Sequence, residues 1–402
     1  MNHPSGTLLR HGHALLGSLA LTASLLTLHA ESAPPETKDR PIRPGAVWLD
    51  DRGVPINAHG GGILFHDGRY YWFGEHKIAG PGGNVAEVGV HCYSSADLHN
   101  WKDEGIALAV SNDPANDIAR GCILERPKVI YNPKTGKFVM WFHLERKDKG
   151  YSDARSGVAV ADKVTGPYQF VESFRPNAGI WPQNFGVSQR GELTAEENDK
   201  LAGKVKGWFP AELILKRDLD GGQMARDMTL FVDEDGTAYH IFSSEENRTL
   251  HISKLTEDYL RPAGEYVRIF PDKYNEAPAV VKHEGKYYLI SSGCSGWDPN
   301  AARSAVADSM MGPWTELGNP CRGTEEENKT TFRSQSTFLL PVQGTDGGVI
   351  FLADRWNPGN AIDGRYIWLP VEFQDGKPTI SWKDSWSVSE AFKPADAPRS
   401  KP

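Results

Sequence analysis

One pattern of polar and apolar positions recurs five times along the chain. Each time an extended segment opens at a polar residue, runs about ten residues into a Gly-containing turn, and leads into a strongly β-prone strand. The five stretches are HGGGILFHDGRYYWFGE (59–75), ERPKVIYNPKTGKFVMWFHLE (125–145), DMTLFVDEDGTAYHIFSSEE (227–246), EAPAVVKHEGKYYLISSG (276–293) and QSTFLLPVQGTDGGVIFLADRW (335–356). Counted back from the turn glycines Gly68, Gly136, Gly236, Gly285 and Gly347, the leading residue lies 9, 11, 9, 9 and 12 positions upstream. The leaders are therefore His59, Glu125, Asp227, Glu276 and Gln335. Dissimilar polar residues in one repeated frame are what a radial β-propeller aiming one group per blade at its axis produces. The hairpins of a β-sandwich do not explain them.

The leaders fall at intervals of 66, 102, 49 and 59 residues, about what a blade of four short strands needs, with an insertion in the longest. Turns rich in Asp, Gly or Pro at 94–105, 161–170, 253–265 and 307–317 mark the passage to the outer strands. The reading is an all-β chain, a single five-bladed β-propeller over residues 45–387. Between Phe174 and Gln223 the pattern lapses, and Thr194-Ala195-Glu196-Glu197 forms a capping box that opens a short helix. This insertion belongs to the third blade, which also carries Asp227. It reads either as a wall of the substrate mouth or as a solvent-facing decoration. Residues 31–44 read as a linker and 388–402 as a frayed tail.

Composition narrows the partners. The first thirty residues hold one Arg, no acid, and an apolar run from Ala14 to Leu28, which reads as a cleaved export signal and is short for a membrane span. The protein is expected to be exported and, once cleaved, free of the membrane and monomeric. A formal charge of −8 gives phosphates no basic face, so nucleic acid is excluded as a partner. The four cysteines fit an oxidising compartment. Each of the pairs Cys92–Cys122 and Cys294–Cys321 lies within one blade and is the expected disulfide, with buried free thiols as the alternative.

Innermost strands of a propeller converge, so Glu125, Asp227 and Glu276 are expected in one pocket. Carboxylates gathered there repel, and partial desolvation raises at least one pKa. A raised carboxyl group beside an ionised one is the arrangement that splits a glycosidic bond. The bland alternative is a structural ion pair for each, since Arg126 follows Glu125 and Arg226 precedes Asp227. No G-x-S-x-G elbow and no H-E-x-x-H helix is present, so neither a serine triad nor a zinc site has a supporting motif. No cofactor is required. A structural Ca²⁺ near the axis stays open, although no ligand loop for one is visible.

Taken together, ERPKV, RDMTLFVDEDG, NEAPAVVKHEGKYYLI, SGCSGWDPN, SQSTF and RYIWLPVEF resemble the exo-β-1,3-galactanase branch of glycoside hydrolase family 43, over residues 45–387. The resemblance implies an inverting, exo-acting enzyme that releases galactose from β-1,3-galactan, the backbone of arabinogalactan. Glu276 would be the general acid and Asp227 the neighbour that raises its pKa and orients it. The usual first-blade Asp base is missing here, where that frame reads Asn57-Ala58-His59. The branch holds the attacking water with a Gln that matches Gln335, and because an amide is a poor proton acceptor Glu125 stands as the alternative. Sugar rings stack on aromatic faces while their hydroxyls need directed partners. Trp297 and Trp356 are the stacking candidates, and Glu75, Tyr93, Asn300, Arg355 and Tyr366 the hydrogen-bonding ones. The rivals are a family 43 α-L-arabinofuranosidase or β-xylosidase, and a non-catalytic carbohydrate-binding propeller.

Overall fold

The structure is a computed structural model that describes residues 41–395. The expected export signal at 1–30, most of the expected linker and residues 396–402 lie outside the described residues.

Five antiparallel hairpin arrays make the five blades. The first comprises β1 (His59–His66), β2 (Arg69–His76), β3 (Gly89–Ser95) and β4 (Lys102–Ala109). The second comprises β5 (Ile123–Asn132), β6 (Lys137–Glu145), β7 (Arg155–Ala161) and β8 (Gln169–Phe174). The third, reached through α1 (Ala195–Leu201) and α2 (Glu212–Arg217), holds β9 (Met228–Val232), β10 (Ala238–Ser244), β11 (Thr249–Leu255) and β12 (Pro262–Ile269). The fourth holds β13 (Glu276–His283), β14 (Lys286–Ser292), β15 (Arg303–Ala307) and β16 (Thr315–Gly318). In the fifth, β17 (Cys321–Arg322) precedes α3 (Glu325–Thr330) and then β18 (Gln335–Pro341), β19 (Val349–Arg355), β20 (Arg365–Gln374) and β21 (Lys377–Ser381). Its strand order is β17-β21-β20-β19-β18, with β17 parallel to β21.

The inner strands close a ring: β1 packs on β5, β5 on β9, β9 on β13, β13 on β18, and β18 on β1. Apolar faces of neighbouring blades fill the gaps between them. Blades one and five share Trp72, Trp101, Trp368 and Trp386, and blades two and three share Trp141, Met228 and Phe242. The predicted capping box is present, with Thr194 Oγ1 accepting from the Glu197 N–H at the start of α1.

Three expectations are corrected. The segment after Trp386 is docked rather than frayed over its described part. Ser387 caps α4 (Val388–Ala391), Phe392 meets Trp386 edge-on, and Pro394 bridges to Thr345. At the other end Ile42 is no linker residue, because its backbone pairs with Trp386. All four cysteines are free. Cys92, Cys122 and Cys321 are buried as small apolar core residues, while Cys294 is exposed beside Glu276.

Candidate active site

Just behind the leader four of the five inner strands depart from regular pairing, while β9, which follows Asp227, pairs regularly with β10. The register with the second strand shifts between His59 and Gly62, between Glu125 and Lys128, between Glu276 and Ala279, and between Ser336 and Phe338. Such a bulge re-aims the side chain before it. In three blades the residue after the leader is left-handed: Gly60 at φ +60°, Arg126 at +57° and Ala277 at +52°. For Arg126 and Ala277 that conformation costs about 1–2 kcal/mol each. What holds it is one device used three times, a backbone N–H donated to a carboxylate of the preceding blade. Gly60 donates to Asp354 at 2.5 Å, Arg126 to Glu75 at 2.9 Å and Ala277 to Asp227 at 3.1 Å.

Four of the five leaders surround a cavity of about 250 Å³ at one end of the axis. Glu125, Asp227, Glu276, Gln335, Trp297 and Trp356 all line it. Its wall at Glu276 is set by Asn247, whose Nδ2 donates to Glu276 Oε1 at 2.6 Å. Burial, and then the nearby Asp227 charge, push the Glu276 carboxyl up to about 7. Asp227 itself accepts from the Ala277 N–H and stands 3.1 Å from the Arg126 guanidinium. The ion pairs suggested by sequence neighbours do not form within the sequence pairs: Arg126 serves Asp227 and Gln335, and Arg226 reaches Glu145 and the carbonyl of Tyr151.

Glu125 has an opposite environment. Burial works to raise its pKa, but His143 at 3.1 Å, through hydrogen bond and charge, and the Tyr151 hydroxyl at 2.7 Å win and hold it at about 2. The far nitrogen of His143 lies 3.0 Å from Glu145, whose other oxygen accepts the N–H groups of Asp153 and Ala154. Glu125, His143 and Asp227 bring potential metal-ligand atoms within 4.8 Å of one another. Both ring nitrogens of His143 are already spent on carboxylates, so it has no lone pair to offer a cation.

Below the pocket the axis is plugged. Lys128 Nζ donates to the carbonyls of Gly60 and Arg126, and Glu75 pairs with Lys77 at 2.6 Å. The glycines after His59 serve this layer: a Cβ on Gly60 would meet Glu75 at 2.2 Å, and one on Gly62 would meet Lys128 at 2.4 Å. His59, fully buried between Trp356 and Tyr366, is a neutral core residue, pushed down to about 3 by burial and by Lys77.

Five expected hydrogen-bonding residues do not face the cavity. Glu75 lies in the plug, beneath Arg126. Tyr93 accepts from the Asn57 N–H, and Tyr366 bridges Ala58 and Ile56, so both phenols pin the first blade's leading segment inside the core. Arg355 points away, donating to the Phe332 carbonyl and covering Trp382. Asn300 spends its amide on Gly293 and Ser295, tying off the loop that carries Trp297.

The family model described as glycosyl hydrolases family 43 matches residues 195–378. A family 43 β-1,3-galactosidase solved with galactodeoxynojirimycin is 55% identical, covering 86% of this chain and 100% of that one, with a TM-score of 0.82. The chain belongs to glycoside hydrolase family 43. The exo-β-1,3-galactanase of Clostridium thermocellum is 34% identical over 88% of this family 43 chain and 68% of its own, with a TM-score of 0.71. That of Phanerochaete chrysosporium, solved as a variant with β-1,3-galactotriose, is 32% identical over 89% and 71%, with a TM-score of 0.70. A curated relative, the β-D-galactofuranosidase xynD of Aspergillus niger, is 30% identical over 186 residues, 39% of this chain. The chain spans about half the length of that relative, 53%.

Sequence reasoning missed Arg126 as a site residue, and with it His143, Tyr151, Arg226 and Asn247. A signal for two of them existed. In every blade the turn between the second and third strands returns to the end of the axis where the leaders sit. Trp297 and Trp356 sit on such turns, and the same topology marks the turns that carry Tyr151 and Asn247.

Proposed function

We propose that this family 43 hydrolase is an inverting, exo-acting galactan β-1,3-galactosidase that releases galactose from the non-reducing end of a β-1,3-galactan such as an arabinogalactan backbone. Glu276 carries the reading. With its carboxyl held up at about 7 beside Asp227, it keeps a proton near neutrality and delivers it to the departing glycosidic oxygen. Water held by Gln335 attacks the opposite face through an oxocarbenium-like state, and the proton it sheds passes to the Gln335 amide oxygen as that amide shifts to its imidic tautomer. Glu125, held at about 2, is a weak proton acceptor and better suited to receiving sugar hydroxyls. The small cavity, floored by Arg126 and the plug beneath it, suits one sugar ring and so exo action. Trp297 and Trp356 offer it apolar faces. The likeness to β-1,3-galactosidases and exo-β-1,3-galactanases supports the linkage. The apolar run at 14–28 supports export of the protein.

An α-L-arabinofuranosidase or β-xylosidase reading lacks support at the first blade. There Asn57 is tied to the backbone of Lys77, and His59 is a buried neutral ring. The deciding experiment incubates the protein with β-1,3-galactobiose and its β-1,4 and β-1,6 isomers and follows the product anomer by NMR at early times. Galactose appearing first as the α anomer, from the β-1,3 isomer alone, is expected. First appearance of the β anomer would overturn inversion, and no release from any isomer would return the chain to a sugar-binding propeller.

A further inference from the structure

The insertion between β8 and β9 is fastened at two places. Its first part runs along the outer edge of the third blade: Gln183 N–H donates to the Tyr266 carbonyl at 2.8 Å, and Asn184 Nδ2 to that of Arg268 at 2.7 Å. Its second part returns to the pocket end of the axis and is stitched to the two turns that flank Glu276. The Ala211 N–H donates to Asp272 at 3.0 Å, and Arg217 Nη1 to Glu246 at 2.8 Å. Arg248 Nη1 donates to the Phe209 carbonyl at 2.6 Å.

Arg248 is the centre of this junction. Its guanidinium lies over Phe209 on one side, at 4.9 Å, and over Tyr274 on the other, at 5.3 Å, and its Nε donates to the Tyr274 hydroxyl at 2.8 Å. The residue before it is Asn247, the partner of Glu276 Oε1, and Tyr274 stands two positions before Glu276 itself. The Arg248 cluster therefore continues outward from the wall of the pocket that carries Glu276. Tyr274 in this cluster remains open to solvent at 42%, and Trp208, next in sequence to Phe209, is exposed at 69%, the most exposed aromatic side chain among the described residues. The flat face of an exposed tryptophan has a natural use in stacking on the apolar face of a sugar ring.

We propose that Trp208 and Tyr274 form a stacking platform for the galactosyl units on the reducing side of the scissile bond. The inference rests on the β-1,3-galactosidase reading and extends it. The general acid faces the leaving group, so the chain being shortened leaves the pocket on the Glu276 side. The apolar face of each β-galactosyl ring then meets an aromatic ring outside the pocket. The insertion is thus a specificity element for chain length rather than a decoration.

The test compares wild type, Trp208→Ala, Trp208→Leu and Trp208→Phe on β-1,3-galactobiose and β-1,3-galactotetraose. Wild-type kcat/KM is expected to rise at least about fivefold from biose to tetraose. Trp208→Ala and Trp208→Leu abolish most of that rise, Trp208→Phe restores most of it, and the loss is felt mainly in KM. Isothermal titration of the Glu276→Gln protein with both sugars, with and without Trp208→Ala, reads the same difference as affinity. Equal kcat/KM on the two sugars in wild type overturns the platform while leaving the activity intact. So does an equal loss on both in Trp208→Ala. No galactose from either sugar overturns the parent reading, and this one with it.

Discussion

Arg126 donates through Nη2 to the amide oxygen of Gln335, so the orientation of that amide is dictated by a group that can only donate. Its nitrogen in turn donates to Ser292 Oγ at 2.8 Å. What remains for the pocket is one oxygen lone pair and one N–H, enough to hold a water in place. Gln335→Ala removes both and is expected to lower kcat by about 10²–10³-fold, with KM changed less than about fivefold. Initial rates at saturating galactobiose check this. An unchanged kcat would move the water-holding role to Glu125.

Beyond burial, which raises its pKa most, neighbours act on Glu276 with opposite sign. The Asp227 charge raises its pKa, while the Arg126 charge and hydrogen bonds with Cys294 and Asn247 lower it. A general acid works only while protonated, so kcat/KM of the wild type should fall as pH rises through about 7. Asp227→Asn removes the raising charge and should carry that alkaline limb to lower pH. Asn247→Ala should carry it to higher pH. The pH–rate profiles of the three proteins decide the matter. Shifts in the same direction would show that the limb belongs to another group.

The repeat frame of five polar leaders was enough to read the propeller and the convergence of Glu125, Asp227, Glu276 and Gln335, because matching strand starts come together near the axis; the frame did not tell these four from His59, which packs as a buried ring between Trp356 and Tyr366. Which polar residues near that axis turn inward was not legible. Tyr93 and Tyr366 look like sugar ligands in sequence, but their hydroxyls answer backbone groups of residues 56–58 that only the closed ring brings near. Arg355 follows Asp354 on a strand, and the pleat sends the two to opposite faces. The pairing of Arg126 with Asp227 crosses blades, so sequence adjacency pointed it at Glu125 instead. The cysteines misled for a similar reason. The expected pairs do not even share a blade: Cys92 lies on β3 of the first and Cys122 just ahead of β5 of the second, while Cys294 follows β14 of the fourth and Cys321 opens β17 in the fifth, and all four are free.

His143 is wedged between Glu125 and Glu145, at 3.1 and 3.0 Å. Burial disfavours a charged ring there, but the two carboxylates outweigh it and raise its pKa from 6.5 to about 9. A group raised on folding contributes stability that is fully present below its unfolded pKa and is lost as pH rises through the folded one. His143→Gln leaves two buried carboxylates without their cation and should cost about 3 kcal/mol at pH near 6. By about pH 10 the gap to wild type should have narrowed, because the wild-type ring has then lost its proton too. Urea unfolding at the two pH values measures both gaps. Equal gaps would mean that the ring is neutral throughout.

Trp297 and Trp72 separate binding from packing. Trp297 sits 46% exposed on the loop tied off by Asn300, with its ring 6.0 Å from that of Trp356 at the pocket. Trp72 is 2% exposed and meets Tyr366, Trp368, Trp101 and Trp48 in the joint between the first and fifth blades. Trp297→Ala takes a stacking face from the sugar and little from the fold. It should raise KM about tenfold and leave stability within about 0.5 kcal/mol of wild type. Trp72→Ala opens a cavity between two blades and should cost about 3–5 kcal/mol, with KM nearly unchanged in whatever fraction stays folded. Thermal melts and Michaelis curves on the same two variants test the contrast. A melt of Trp297→Ala as low as that of Trp72→Ala would place Trp297 in the structural core of the loop and take it out of the sugar site.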